Sequence, residues 1–198
     1  MSKLRSFPLF ALALLGACTP ATTTLGDVWV ADDLAHHRPH RFVVIAIDPD
    51  EMRRRMFEDA LAKRFDYGTA SHTLMPFNEL VADQARTRAF LIRNGYDGTV
   101  VVRLRGIETQ ESKMPAQGPA LGGASGNMWG GAGPPLQSME RDYTLTTHTV
   151  LLEVDAYTVD EGTHLFHAIS STFNPEDADD LAGELFDAVR AELRTRGL

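Results

Sequence analysis

The sequence predicts an α/β fold in which strands and helices alternate before an antiparallel hairpin and a last helix complete the sheet. Three observations carry this expectation. The run FVVIAI, Phe42–Ile47, is apolar at every position and rich in β-branched residues, the pattern of a strand buried on both faces. It runs directly into DPDEM, an acid-capped entry to a helix. Near the end, VLLEVDAYTV and HLFHAISSTF alternate across a short DEG turn and are followed by an acid-rich helix start.

Each element follows in order. Asp48 caps, Pro49 suits the first helical position, and Glu51 completes a D-x-x-E box, so a helix is expected to about Phe65. Met52, Met56, Ala60 and Leu61 mark its expected apolar stripe. A weak second strand is expected around residues 70–74, then one helix over NELVADQARTRAFLIRNG with Gly95 as its stop. GTVVVRLRGIE is a third strand, with Val100, Val102 and Leu104 on one face and Val101, Arg103 and Arg105 on the other. In the hairpin, Val150, Leu152, Val154 and Ala156 share a face opposite Glu153, Asp155 and Tyr157. Asn174 is the expected cap of the last helix and Pro175 its first residue, with an apolar stripe at Leu181, Leu185, Val189 and Leu193.

A first strand buried on both faces needs helices above and below it. That favours a mixed sheet of about five strands in the order 2-1-3-4-5, because right-handed crossovers then put the first two helices on opposite faces. With the last helix this makes three main helices. The half-polar third and fourth strands leave one sheet face partly open, where Arg103 and Arg105 can pair with Glu153 and Asp155.

Residues 110–141 interrupt the pattern with seven glycines and four prolines and show no helical or strand period. A long loop is expected over about 110–140. Met128 and Trp129 stand in its centre as candidate partner contacts, since a tryptophan buries a large area at small ordering cost. A solvated insertion with no partner accounts for the same composition.

The amino terminus has its own logic. Lys3 and Arg5 precede an apolar stretch over residues 7–17, about half of the roughly 20 residues a membrane-spanning helix needs. The stretch ends at Leu15-Gly16-Ala17-Cys18, which holds the chain's single cysteine and resembles the lipobox of bacterial lipoproteins. That resemblance implies cleavage between Ala17 and Cys18, acylation of Cys18 and anchoring in a bilayer by lipid. Thr19, rather than Asp, follows the cysteine, which resembles the outer-membrane-directed members of that class, facing the periplasm. The alternative, a free cysteine after an ordinary signal peptide, leaves an unpaired thiol without a purpose. The expected organisation is therefore a signal over 1–17, a lipidated tether over 18–40 and one domain over 41–198. Val28, Trp29 and Val30 can dock from the tether as a short edge strand.

Charge narrows the functional classes. Removing residues 1–17 takes two of the 19 basic residues and none of the 27 acidic ones, so the net charge moves from −8 to −10. That argues against nucleic acid as a partner. No catalytic residue is assigned, because the sequence has no G-x-S-x-G and its one thiol is committed to lipid. The turn after the first strand has acids where a phosphate-binding loop has glycines, so no cofactor is expected. Asp48, Asp50, Arg105 and Glu108 are expected near a crevice at the carboxyl ends of the strands, where they are candidates for a hydrolase site. No metal site is expected: His36, His37 and His40 lack a companion ligand, and His164 and His167, three apart on a strand, should point to opposite faces. The arginines at 53–55 and 86–88 read as solvated helix faces.

RFVVIAIDPDEMRRRMFEDALAKRF, NGYDGTVVVRL, the glycine-rich insert, VLLEVDAYTVDEGTHLF and FNPEDADDLAGELFDAVRAELRTRGL together resemble a group of small, uncharacterised proteobacterial lipoproteins, over roughly residues 41–198. Where that group shows Trp in the last strand, this chain has Phe166. More distantly, the layout is similar to the periplasmic α/β domains of LpoB, CsgG and the amino-terminal part of TolB. These resemblances imply a non-catalytic envelope lipoprotein that binds a periplasmic protein or a cell-wall partner. Two other expectations stand beside it: a periplasmic hydrolase using the crevice carboxylates, and a structural envelope component that self-assembles through its sheet edge.

Overall fold

The computed structural model describes residues 23–32, 34–114 and 143–198. Strand β2 (Phe42–Ile47) lies inside the sheet with Val43 and Val44 fully buried, as its apolar run requires. Parallel to it run β3 (Gly68–Ala70) on one side and β4 (Gly98–Met114) on the other. Antiparallel β5 (Tyr143–Thr158) and β6 (His164–Phe173) continue the sheet, and β1 (Thr23–Val30) closes its far edge against β6. The order is β1-β6-β5-β4-β2-β3.

The expected 2-1-3-4-5 order is therefore present, extended by a sixth strand drawn from the segment expected to be a tether. Thr23 ties that strand in, through a 2.7 Å hydrogen bond between its hydroxyl and that of Thr172 and one of 2.9 Å donated to Glu184. The expected edge strand at Val28–Val30 is the second half of β1; a bulge between Gly26 and Trp29, with Asp27 at φ 49°, breaks the strand period and hides the first half. β4 also reaches further than expected, pairing with β5 through Met114, so residues 110–114 belong to the sheet and not to the insert. β3 lies earlier and is shorter than expected: it meets the expected 70–74 only at Ala70, and Ser71–Thr73 form a 3₁₀ turn. Gly68 opens it because a Cβ there would lie 2.2 Å from the Ala62 carbonyl oxygen.

Among the described residues four α-helices pack on this sheet, where three were expected. They are α1 (Glu51–Ala62), α2 (Phe77–Ala82), α3 (Gln84–Arg93) and α4 (Ala178–Thr195). The expected second helix breaks at Asp83, whose extended backbone lets its carboxylate cap α3 by accepting from the Arg86 amide. Gly95, at φ 76°, ends α3 as expected, with Tyr96 N donating to Leu91 O at 3.0 Å and Gly95 N to Ile92 O at 3.0 Å, a Schellman closure. Asp177, not Asn174, caps α4, accepting from the amides of Asp179 and Asp180. Asn174 is held elsewhere, in a left-handed conformation at the end of β6, where its amide donates to the His148 carbonyl.

α1 and α4 cover one face, where Phe57, Leu61, Ala182 and Leu185 meet Val44, Ala46, Val102, Leu152, Val154 and Phe166. α2 and α3 lie on the other, around Val43, Ile45, Leu80, Leu91, Tyr96 and Val159. The stripe of α4 is as expected. That of α1 is as expected only at Ala60 and Leu61: Met52 and Met56 are 73% and 52% exposed, and Arg54, Phe57 and Glu58 face inward instead. The cause is a buried i, i+4 ion pair, described below.

Candidate functional site

The end of β2 delivers the chain to a crevice of about 370 Å³ between α1 and the segment leading into α2. Asp48 lies on its wall, as expected of a strand's carboxyl end. Its carboxylate accepts from the Asp50 amide at 2.7 Å and from the Arg53 guanidinium, while Asp50 is the cap of α1 and accepts from the Arg53 amide at 3.0 Å. Burial pushes the Asp48 carboxyl upward, but the hydrogen bonds from Arg53 and Asp50 and the Arg53 charge outweigh it and hold the group below its ordinary value. Arg105 lies elsewhere, paired at 3.1 Å with Glu153, and Glu108 is exposed opposite Thr149 on the distal part of β4. Among the described residues no hydrogen bond or ion pair joins these two to Asp48 or Asp50. Cys18, Met128 and Trp129 lie outside the described residues.

Under the crevice is a polar knot that sequence reasoning missed. Glu58 is 0% exposed, and its Oε1 accepts from Arg54 Nη1 at 3.0 Å, Ser71 Oγ at 2.9 Å and the Ala46 amide at 3.1 Å. Its Oε2 takes the His72 amide and lies 3.0 Å from His72 Nδ1. The reason is topological. β3 pairs with β2 only through Val44, so beyond that point the ladder provides no partner for Ala46 on this side, and Glu58 supplies one. Arg54, 4% exposed, also stacks its guanidinium 4.7 Å from the centre of the Phe77 ring. It is not the solvated residue expected of an arginine run.

The second site is the part of the sheet that α2 and α3 leave uncovered. Arg103 donates to Glu153 at 2.8 Å, and Arg105, the extra residue of a bulge between Leu104 and Gly106, reaches the same oxygen at 3.1 Å. Asp155 is thus not an arginine partner. Its Oδ1 lies 2.9 Å from His164 Nε2 and 2.9 Å from His167 Nδ1. The two histidines share a face, contrary to the strand-period expectation, because β6 bulges at Leu165: Phe166 pairs with Ala156 and His164 with Tyr157, leaving Leu165 over. Leu165 and Phe166 are both buried on the core side. Two adjacent large apolar residues between two histidines, H-L-F-H, were the one sequence signal of that bulge.

Aromatic rings frame the cluster. His164 stacks on Tyr157 at 4.7 Å between ring centres, and Trp29 of β1, 47% exposed, packs on it at 5.0 Å. Burial first, then the Asp155 carboxylate, push the Tyr157 hydroxyl above its ordinary value, so it stays a neutral donor. Beside them runs a groove of about 630 Å³ between the sheet and α2–α3, with Ile47, Val101, Arg103, Asp155 and Tyr157 on its floor and Arg88 on its helical wall.

The sequence matches no family model and no curated protein. Among solved structures the fold is similar to PelC from Paraburkholderia phytofirmans, crystallised as a dodecamer, with 9% identity and a TM-score of 0.43 over 81% of this chain and 89% of that one. It is also similar to lipoprotein GNA1162 from Neisseria meningitidis, with 11% identity and a TM-score of 0.41 over 79% of this chain and 99% of that one. Identities this low carry no residue role from either protein onto this chain.

Proposed function

We propose that the protein is a non-catalytic, lipid-anchored component of the bacterial envelope that holds another periplasmic macromolecule against its uncovered sheet face. The anchor rests on the lipobox-like Leu15-Gly16-Ala17-Cys18, whose cysteine would carry the lipid, and Thr19 in place of Asp after it supports the outer membrane, facing the periplasm. No helix among the described residues is long and apolar enough to cross a membrane. The observation that carries the binding role is the asymmetry of the sheet. One face is sealed by α1 and α4, while the other exposes aromatic, cationic and anionic side chains along a groove too open for a core. Mixed aromatic and charged lining suits a protein surface, where rings contribute contact area and paired charges set register.

The hydrolase alternative has one observation in its favour, a buried Glu58 holding His72 on the wall of the crevice. Both neighbours that such a dyad needs are otherwise engaged. The Ser71 hydroxyl donates to Glu58, and His72 Nε2 faces Asp59 at 3.5 Å.

Photocrosslinking in cells tests the binding role. A photoreactive residue at Trp29 or at Arg103 should capture one and the same partner, and one at Arg190 on the outer side of α4 should not. Equal capture from Arg190, or different products from Trp29 and Arg103, would place binding elsewhere.

A further inference from the structure

We propose that Asp155, His164 and His167 form a binding site for a divalent transition-metal cation of the zinc class. The site goes beyond the partner-binding role and stands whether or not a partner docks. His164 Nε2, His167 Nδ1 and an Asp155 carboxylate oxygen all lie within 4.8 Å of one another. Each imidazole nitrogen is 2.9 Å from the same oxygen, Asp155 Oδ1. A tetrahedral zinc with bonds of about 2.0–2.1 Å separates its ligand atoms by about 3.3 Å. Each nitrogen–oxygen pair therefore needs to open by only a few tenths of an ångström to admit the ion, and the two imidazole nitrogens already lie within 4.8 Å of each other.

The donor chemistry selects the class of metal. Two imidazoles and one carboxylate suit zinc and its neighbours, whereas magnesium and calcium take all-oxygen shells. Three protein ligands leave a fourth position for water or an incoming group. That position is reachable, because the side chains of His164, His167 and Asp155 are 37%, 26% and 13% exposed and Asp155 also lines the groove.

The scaffold holds the ligands firmly. Asp155 and His167 are register partners on β5 and β6, the bulge at Leu165 turns His164 to their side, and His164 is clamped between Tyr157 and Trp29. The ligands come from two paired strands rather than from a loop, so little ordering is required on binding. Binding displaces protons from any imidazolium in the cluster, and affinity should fall as pH is lowered.

Zinc titration of the full-length chain in detergent, in competition with a chromophoric chelator, tests the site. One zinc per chain is expected, with affinity reduced at least about tenfold in His167→Ala and in Asp155→Asn. A variant with His36→Ala, His37→Ala and His40→Ala should keep wild-type affinity, since those histidines lie outside the cluster. Cobalt is a second probe and does not depend on any variant folding: the wild-type complex should show the intense visible bands of a four-coordinate ion. Zinc should also raise the wild-type melting temperature, because it binds the folded form. Wild-type chain that takes up neither ion would overturn the proposal. So would unchanged affinity in folded His167→Ala, or loss of binding in the variant of residues 36, 37 and 40.

Discussion

Glu58 has no exposed surface, and its two oxygens serve Ala46, Arg54, Ser71 and His72 at once. Its truncation would strand a buried guanidinium and leave the Ala46 amide and the Ser71 hydroxyl without their acceptor. Breaking a buried ion pair by removing one partner costs about 3–5 kcal/mol. That is a large part of the roughly 5–15 kcal/mol by which a domain is stable. Glu58→Ala should therefore lower the urea midpoint sharply or prevent folding, and Glu58→Gln, which keeps an acceptor but loses the charge, should fall between. A Glu58→Ala protein within about 1 kcal/mol of wild type would mean the knot is dispensable. Ser170 Oγ is the contrasting case: it is buried without a hydrogen-bond partner among the described residues, and nothing in the structure explains it.

At the scale of an element, the start of α1 depends on two acids with divided work. Asp50 caps the helix, while Asp48 receives the Asp50 amide and the Arg53 side chain, so that the turn and the first helical residues are tied together. Asp48→Asn should cost about 1 kcal/mol near neutral pH, since the pair is half exposed on its arginine side and screened accordingly. The folded protein holds Asp48 below the ordinary 3.8. Its contribution is then fully present above the unfolded value and fades as pH falls through the lower folded one. The stability difference between wild type and variant should be constant from pH 7 to 5 and shrink below about pH 4. Urea melts at pH 7 and pH 3 measure this, and an equal difference at both would show that the carboxylate charge is not what the turn uses.

The whole molecule joins a sheet with one partly uncovered face to an expected lipid anchor. β1 begins at Thr23, so few residues separate Cys18 from the sheet edge, and an anchored domain would sit close to the bilayer. Cys18→Ser should yield unprocessed precursor or a soluble form, whereas wild type should incorporate labelled palmitate. Intact wild-type protein that carries no label would rule the anchor out. Cys18 lies outside the described residues and its expected role is to carry lipid, so the released form should melt like the wild-type domain.

What the sequence determined by itself is local: the doubly buried β2, the stripe of α4, the αL stop at Gly95 and the hairpin faces, from which the handedness of crossovers gave the order of the five expected strands. Each depends on periodicity or turn chemistry within a window of a dozen residues, where a pattern can be read without knowing what it packs against. Tertiary structure alone decided the rest. Of β1 only the end at Val28–Val30 was legible as a short edge strand, because a bulge at Asp27 breaks the period of the rest, and the long middle helix divided because Asp83 found a capping role. α1 turned Met52 and Met56 outward because the short β3 left Ala46 needing Glu58, a requirement set by a strand that ends more than twenty residues away in the chain. The cluster on the open face is the sharpest instance. Asp155, His164 and His167 look unrelated under strict alternation, and one extra residue in β6 brings them to a single carboxylate oxygen. A bulge forms where burying both Leu165 and Phe166 outweighs keeping the ladder regular, and that balance is struck across the core, beyond the reach of any local pattern.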